Sequence, residues 1–559
     1  MSNIVSLVQS IEETQFIIKN NKRKIVFIPL NLSVQLYCIK NKIEFIDPLN
    51  IISKNFHWDT IKSSKKLIDQ IQYQDIKSES LQKELKAFVR FRFHSIAFLL
   101  EIVEQLLKLK KCEELLLSGW DTYYDQFSEK NYFISYIVQN LIKNIKITTI
   151  ENISYKNHSS LTQNHFYFSN TPKNKEEKYI LMTNLGYNFF RIVLFLKTKN
   201  QKILVPFVDG ISFLKRLIYR ILGVRFLKLE RLPASKNEPI NLPILDFDYK
   251  GKDLSKILNF RIIQEKTNII NLLNKSRAID KLYKEIGIKL VITNVAKGIF
   301  GYFVDAASRH KINSICIPHG TLTKNFDEFD LIYKETISEG VTSKNAQYNI
   351  SQSNISKNFF ELHSKNFKQI INGGNMIFSK EIENRKKNKK ILFAGTLKNF
   401  ESIQLCGVEM YYEFIDNLFF LEKFSRKHNY EILIKLHPST YDQIEMLKKI
   451  FTKLEFSKKK ISSTFKNVLA TISFSSTVIE DSLNSKCPVI LLDRWKRYKH
   501  CDAEENSTTK DSAIYYVNDE DNLAKCLQTI KLSNNINFEK YVPSSNYRKN
   551  IYDFFENFF

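Results

Sequence analysis

Glycine and proline are scarce in this chain, with 14 and 11 among 559 residues. Such scarcity excludes collagen-like segments, turn-rich solenoids and long flexible linkers. Hydrophobic residues make up 43% of the chain and aromatic residues 13%, which is enough apolar material for sizeable cores. Global disorder is therefore excluded. At roughly 100–200 residues per domain, the length predicts three units or two large ones.

Paired cysteines and long apolar runs are also missing. The seven cysteines are scattered, and none forms a C-x-x-C pair. This pattern indicates a reducing compartment rather than a disulfide framework. No uncharged apolar stretch reaches about 18 residues, and residues 1–13 lack the pattern of a signal peptide. We therefore expect a cytoplasmic protein without a membrane-spanning segment.

Acidic residues are in deficit, with 59 Asp and Glu against 84 Lys and Arg, a net charge of +25. A positive surplus attracts nucleic acid, anionic lipid or nucleotide phosphates. The charge is dispersed, however, and the densest basic run covers only residues 385–390. No signature of a nucleic-acid-binding module is present. We predict no specific nucleic-acid partner, while dispersed lysine allows peripheral contact with an anionic inner membrane.

Short runs of β-branched and aliphatic residues alternate with amphipathic helical segments along the chain. The clearest predicted strands are KIVFIP (24–29), ELLLS (114–118), KLVIT (289–293), SICIP (314–318), KILFAG (390–395), YEILIKL (430–436) and PVILLD (488–493). This alternation predicts an α/β fold of two Rossmann-like, doubly wound lobes facing each other across a cleft. We predict an N-terminal lobe over residues 1–340 with helical insertions, a connecting segment over 341–389, a second lobe over 390–535 and a tail or helix over 536–559.

Three motifs follow predicted strands, where ligands bind in open α/β sheets. The first contains His319-Gly320, the second His437-Pro438 and the third Ser475-Ser476. A strand-end histidine such as His319 is a candidate general base, because imidazole titrates near neutral pH. The glycine beside it allows a ligand to approach the backbone.

The second and third motifs have the chemistry of a phosphate site. Proline fixes the turn after His437, which can then donate to a phosphate. Two serine hydroxyls before a helix suit an anion, because free N–H groups and the positive dipole end collect there. Thr477 and Glu480 have the spacing of a capping box, which predicts that they bond each other's backbone at the start of that helix.

In this order, the motifs resemble the donor-binding half of GT-B glycosyltransferases. More narrowly, they are similar to bacterial capsule-type sialyl-, polysialyl- and Kdo transferases with an HP and a later Ser-Ser motif. The resemblance covers roughly residues 285–535 and implies that the motif residues hold the nucleotide phosphate of a CMP-sugar. The implied donor and phosphate site comprises Gly395, Thr396, Lys435, His437, Pro438, Ser475, Ser476 and Thr477.

A second, weaker resemblance is to CDP-glycerol glycerophosphotransferases of teichoic acid synthesis. That family also has a His-Gly-Thr followed by His-Pro and Ser-Ser, and it would make both His319 and His437 important for catalysis. The chain departs from it, with Pro318 where an aromatic residue usually precedes the first histidine. It also has Ser473-Phe474 where an Asp precedes the serine pair. These departures favour sugar transfer.

The resulting hypothesis is a glycosyltransferase of bacterial surface polysaccharide synthesis (capsule, lipopolysaccharide or O-antigen), with a glycan or lipid-linked acceptor. His319 is the preferred base, and Gly320 lies on the acceptor side. Asp327, Glu328 and Asp330, just past His319, are alternative bases, of which we choose Glu328. No D-x-D motif is evident, so we expect metal-independent transfer without a cofactor. Two alternatives stay open: a non-catalytic assembly protein that retains a nucleotide-binding fold, and a nucleic-acid binder that exploits the charge.

Overall fold

The computed structural model describes residues 4–73, 76–123, 134–151, 154–157, 162–186, 189–207, 211–234, 239–318, 323–324, 326–328, 330–332, 342–373, 389–395, 397, 409–542 and 547–559. Within these ranges, three parallel sheets organise the chain, with four, seven and six strands. Apolar strands such as Val489–Leu492 are buried throughout, which is typical of parallel sheets covered by helices on both faces.

The first sheet belongs to an N-terminal unit. Its strands, in spatial order, are β2 (Ile25–Pro29), β1 (Ile4–Val8), β3 (Glu114–Leu117) and β5 (Lys146–Thr149). Its helices are α1 (Ile11–Asn20), α2 (Leu32–Asn41), α3 (Phe56–Asp69), α4 (Glu79–Lys108) and α5 (Ile134–Leu141). Two short strands, β4 (Trp120–Tyr123) and β6 (Ser154–Asn157), pair beside it.

The second sheet forms the first lobe. Its strands, in spatial order, are β10 (Val224–Phe226), β9 (Lys202–Val205), β8 (Tyr179–Met182), β14 (Ile288–Thr293), β15 (Asn313–Cys316), β16 (Tyr348–Ser351) and β17 (Gln369–Asn372). Its helices are α6 (Phe189–Thr198), α7 (Phe213–Ile221), α8 (Ser255–Gln264), α9 (Lys266–Glu285), α10 (Ile299–Arg309) and α11 (Asn354–Leu362). Two small antiparallel pairs accompany it: β7 (Asn164–Ser169) with β11 (Lys228–Pro233), and β12 (Asp248–Tyr249) with β13 (Lys252–Asp253).

The third sheet forms the second lobe. Its strands, in spatial order, are β20 (Glu455–Phe456), β19 (Glu431–Lys435), β18 (Lys390–Ala394), β21 (Thr471–Ser473), β22 (Val489–Leu492) and β23 (Ile514–Val517). Its helices are α12 (Tyr411–His428), α13 (Ile444–Ile450), α14 (Val478–Asn484) and α15 (Glu520–Leu532). The last helix of the chain is α16 (Tyr547–Glu556).

Strand order identifies the two larger sheets as Rossmann-like. Numbered along the chain, the seven-stranded sheet reads 3-2-1-4-5-6-7 and the six-stranded sheet reads 3-2-1-4-5-6. Successive strands are added toward one side of the sheet and then toward the other. This change in strand order occurs between β8 and β14 in one lobe, and between β18 and β21 in the other. Ligands bind at such switch points, beyond the carboxyl ends of the strands. The predicted fold class is confirmed.

The boundary between the lobes differs from the predicted one. β16 and β17 pair with the first-lobe sheet, although both lie in the range 341–389 assigned to a connecting segment. The C-terminal helix α16 also returns to this lobe, where Ile551 and Phe555 are buried in its core. Tyr552 stacks on Phe195 of α6 with ring centroids 4.3 Å apart.

The N-terminal unit packs against both lobes. On the first-lobe side, Ser78 Oγ and the Ser80 N–H donate to Asp305 Oδ2 of α10 at 2.7 and 2.8 Å. Gly301 lets α10 approach this region, since a Cβ atom there would lie 2.6 Å from Ser80 Oγ. On the second-lobe side, the Tyr411 hydroxyl donates to the Pro29 carbonyl at 2.7 Å. The three units therefore share one buried core.

None of the described helices combines the length and apolar character needed to cross a bilayer.

Candidate functional site

Strand register brings the predicted donor residues to one edge of the second-lobe sheet. Ala394 of β18 pairs with Lys435 of β19 on one side and with Ser473 of β21 on the other. The residues that follow these three positions therefore leave the sheet side by side. Because β18 and β21 flank the switch point, this edge is where the fold predicts a ligand.

The end of β18 is held close to its neighbours. The Gly395 N–H donates to the Lys435 carbonyl at 3.1 Å, which extends the ladder by one bond. A Cβ atom at this position would lie 3.0 Å from Cε2 of the buried Phe414. Glycine therefore allows the strand end to sit against α12. Thr396, predicted to share the donor loop, lies outside the described residues.

The backbone around His437 forms a fixed turn. The His437 carbonyl accepts from the Thr440 N–H at 3.0 Å and from its Oγ1 at 2.9 Å. Pro438 opens the short 3₁₀ segment Pro438–Gln443, as expected for a residue with no N–H to donate. The His437 and Pro438 side chains are exposed at the sheet edge.

Lys435 lies beneath this turn. Its Nζ donates to the Tyr441 hydroxyl and lies 4.6 Å from the centre of that ring. With only 8% of its surface exposed, Lys435 places a buried positive charge directly behind the edge. Its ammonium attracts phosphate electrostatically without needing to touch it.

The serine pair lies where β21 turns into α14. Ser476 Oγ accepts from the Val478 N–H at 3.2 Å, and the Ser476 carbonyl accepts from the Ile479 N–H at 3.0 Å. A hydroxyl that accepts in this way keeps its proton available for donation. Ser475 and Ser476 are half-buried and Thr477 is exposed.

The predicted capping box is wrong. Thr477 makes no side-chain bond to the helix start. Glu480 instead accepts from the Ser353 hydroxyl of the first lobe, 127 positions away in the chain. Both side chains are buried where the lobes meet, so Glu480 bonds to Ser353 rather than to the start of its own helix.

Sequence reasoning missed an acidic group at the end of β22. Asp493 Oδ2 accepts from the Tyr498 N–H at 2.6 Å and from the Tyr516 hydroxyl at 3.1 Å. Burial raises the pKa of Asp493, while these donors and the charge of Arg497 lower it. The signal was present, since Asp493 directly follows the strand PVILL. Its bonds shape the loop beside the serine pair.

Arg497 continues this loop and supports Phe474. Its Nε and Nη2 donate to the Glu413 carboxylate at 3.0 and 2.5 Å, and both side chains are buried. Burial raises the pKa of Glu413, and the charge of Arg497 opposes that rise. The guanidinium also lies 4.9 Å from the Phe474 ring centre. Arg497 therefore holds Phe474, the residue that precedes Ser475, in place.

The first lobe and the N-terminal unit contact the same region. Phe474 packs with Tyr498, Ile332 of the first lobe and Ile61 of α3. Lys324 Nζ lies 2.7 Å from Asp502 Oδ2 across the two lobes. The stretch after β15 therefore lies against the loops that follow β21 and β22, so the lobes face each other at their strand ends.

The predicted first-lobe site residues are only partly described. His319 and Gly320 lie outside the described residues. Glu328 is exposed, and its Oε2 lies 3.8 Å from Lys62 Nζ of α3. Its role as a base stays a prediction.

Sequence reasoning also missed a pair of strand ends at the first-lobe switch point. Thr183 after β8 donates through Oγ1 to Thr293 Oγ1 of β14 at 2.8 Å. The neighbouring Asn184 amide donates to Asn294 Oδ1. Both strands end in Thr-Asn, a repeated signal that was visible in the sequence. These amides lie at the position that the fold rule assigns to a ligand in this lobe.

The described ranges contain no group of three or more His, Cys, Asp or Glu side chains placed to hold a metal ion.

No family model and no curated protein matches the chain. Among solved structures, it is similar to the Methanocaldococcus jannaschii UDP-GlcNAc 2-epimerase in complex with UDP-GlcNAc and UDP (TM-score 0.43, 13% identity, covering 68% of this chain and 99% of that one). It is also similar to the calicheamicin glycosyltransferase CalG4 (0.37, 9%, 68% and 98%) and to Anabaena HepE in complex with UDP and glucose (0.37, 10%, 68% and 100%). At these scores the fold assignment rests on strand order and register, and the chemistry on the residues at the strand ends.

Proposed function

We propose that this protein is a metal-independent glycosyltransferase of bacterial surface polysaccharide synthesis that uses a nucleotide-activated donor, with a CMP-sugar favoured. The observation that carries the proposal is the convergence of Gly395, His437 and Ser475-Ser476 beyond the carboxyl ends of three adjacent strands. These residues bracket the β18–β21 switch point, where Rossmann-like sheets bind nucleotides.

The arrangement suits a phosphate group. The Ser475 and Ser476 hydroxyls can donate to its oxygens, and the exposed His437 imidazole can donate from the neighbouring turn. The buried Lys435 ammonium adds positive charge from behind. Donors fixed in advance stabilise the charge that develops on a leaving phosphate, which lowers the free-energy barrier to its departure.

In the proposed reaction, the acceptor hydroxyl binds on the first-lobe side and gives its proton to a base, His319 for preference and Glu328 as the alternative. The acceptor oxygen then forms a bond to the anomeric carbon of the donor, and the bond between that carbon and the phosphate oxygen breaks. The nucleotide leaves with its phosphate held at the serine pair. The acceptor is a glycan or a lipid-linked glycan at the inner face of the membrane.

The test is thermal unfolding with CMP, CDP, UDP, UMP, GDP and ADP. A ligand that binds only the native state stabilises it by about 2.7 kcal/mol at 100 times its Kd. We expect CMP to raise the melting temperature of the wild-type protein. Ser475→Ala combined with Ser476→Ala should remove the shift, whereas Ser364→Ala, which changes an exposed serine of the first lobe, should retain it.

Stabilisation by CDP instead would replace the donor class with a polyol-phosphate donor, and stabilisation by UDP or GDP would indicate a hexose donor. If no nucleotide raises the melting temperature, the proposal of a nucleotide-dependent transferase is rejected.

A further inference from the structure

Helix α7 of the first lobe exposes a continuous apolar face. Its sequence is FLKRLIYRI, and its apolar side chains are unusually accessible. The exposed fractions are 77% for Phe213, 67% for Leu214, 45% for Leu217, 41% for Ile218 and 77% for Ile221. We call these five residues the α7 apolar face. Contiguous exposed apolar surface, unlike single exposed residues, marks a site of interaction.

Helical geometry concentrates these five side chains on one side. At 100° per residue they span an arc of about 140°, and Tyr219 points roughly opposite its centre. Tyr219 is buried and meets Phe190 of α6 edge-to-face at 5.7 Å. The helix is thus anchored by Tyr219 and turns its apolar face away from the sheet.

Basic side chains border the apolar arc on both sides. Arg220 lies about 20° beyond one edge and Lys215 about 60° beyond the other, with Arg216 between Arg220 and Tyr219 on the wheel. The helix contains no acidic residue. A second copy of this chain would place the same cations opposite one another, which is unfavourable in a two-fold contact. Anionic lipid headgroups complement them, while the acyl layer accepts the apolar face.

We infer that α7 docks the protein onto an anionic lipid surface, lying in the plane of the interface with the α7 apolar face inserted. The helix follows β9, the neighbour of the switch-point strand β8, in an all-parallel sheet. Its first residues therefore lie at the same sheet edge as the first-lobe strand ends. Its last residue, Ile221, is followed within three positions by the first residue of the outermost strand β10, which lies at the opposite edge, so α7 runs along the flank of the sheet and docking brings that flank next to the bilayer.

The inference is tested by co-sedimentation of the full-length protein with vesicles of phosphatidylcholine alone and of equal parts phosphatidylcholine and phosphatidylglycerol. Phe213→Ser combined with Ile221→Ser should weaken partitioning into the anionic vesicles about 100-fold, at roughly tenfold per buried side chain. The matched control is Ile244→Ser combined with Leu362→Ser, at positions 91% and 61% exposed elsewhere, and it should bind like the wild type.

A charge variant separates the two contributions. Lys215→Gln combined with Arg220→Gln should weaken binding to the anionic vesicles about 25-fold, at about fivefold per charge, and leave binding to neutral vesicles unchanged. All these positions are exposed, so melting temperatures should match the wild type.

Three results would overturn the inference. The wild-type protein could stay in the supernatant with anionic vesicles, or the variant with Phe213→Ser and Ile221→Ser could partition like the wild type. Alternatively, the wild type could form a dimer that these two substitutions dissociate. None of them depends on the nucleotide experiment, because these vesicles contain neither donor nor acceptor.

Discussion

Replacing Arg497 by alanine tests the framework beneath the serine pair. In the wild type, the Arg497 guanidinium donates two hydrogen bonds to Glu413, and the side chains are only 7% and 3% exposed. Arg497→Ala leaves the Glu413 carboxylate buried without its counter-ion. Breaking a buried pair in this way costs about 3–5 kcal/mol. Loss of the guanidinium also removes the support under Phe474.

The loss should depend on pH. Burial already raises the pKa of Glu413 in the folded protein, and Arg497 opposes that rise, so the variant should raise it further. A carboxyl group whose pKa is higher in the folded state destabilises that state as pH rises from the unfolded toward the folded value. The variant should therefore lose more stability relative to the wild type at pH 8 than at pH 5.

The assay is urea unfolding followed by circular dichroism at pH 5 and pH 8. The matched control is Arg426→Ala in the same lobe. Arg426 pairs with Glu422 at 3.3 Å, and the Arg426 side chain is 60% exposed. An exposed pair contributes about 0–1 kcal/mol. If Arg497→Ala costs no more than the control, or costs as much at pH 5 as at pH 8, the account of this buried pair is refuted.

Three further predictions concern the site and the core. His437→Ala should lower the rate of nucleotide release from the accepted donor by about 10- to 1,000-fold. The control His165→Ala, at an exposed strand position, should leave that rate unchanged, and equal rates in the two variants would exclude His437 from catalysis. Gly395→Ala should cost about 1–3 kcal/mol in urea unfolding, because its Cβ atom would meet Phe414 at 3.0 Å, and adding Phe414→Leu should recover part of that loss if the contact is the cause. Burial raises the pKa of Cys38 to about 12, so iodoacetamide at pH 8 should leave this thiol unmodified until the protein unfolds. Peptide mass spectrometry measures the modification, and rapid labelling of the native protein would contradict the burial of Cys38.

Three of the six strands in the second-lobe sheet were predicted accurately from the sequence. KILFAG, YEILIKL and PVILLD become Lys390–Ala394, Glu431–Lys435 and Val489–Leu492, within one or two residues of the predicted ends. Apolar runs of this kind are local signals, and strands buried on both faces produce them strongly. Since the motif residues directly follow such runs, their shared edge could also be predicted.

Features that depend on distant pairing were missed. KIVFIP and ELLLS were predicted as strands, but only register shows that both pair with β1 to make a separate sheet. The bond between Glu480 and Ser353 joins two lobes, so no local spacing encodes it. Likewise, Asp493 is a strand-end acid whose partners Tyr498 and Tyr516 come together only in the fold.

The N-terminal unit limits how the two lobes can move. In this unit, Ser78 is bonded to Asp305 of the first lobe and Pro29 to Tyr411 of the second. Helix α16, near the end of the chain, packs into the core of the first lobe. Swinging the lobes apart would break buried polar contacts at one of these attachments, each costing about 1–3 kcal/mol. The N-terminal unit therefore opposes a hinge motion between the two lobes, because it is bonded to both of them.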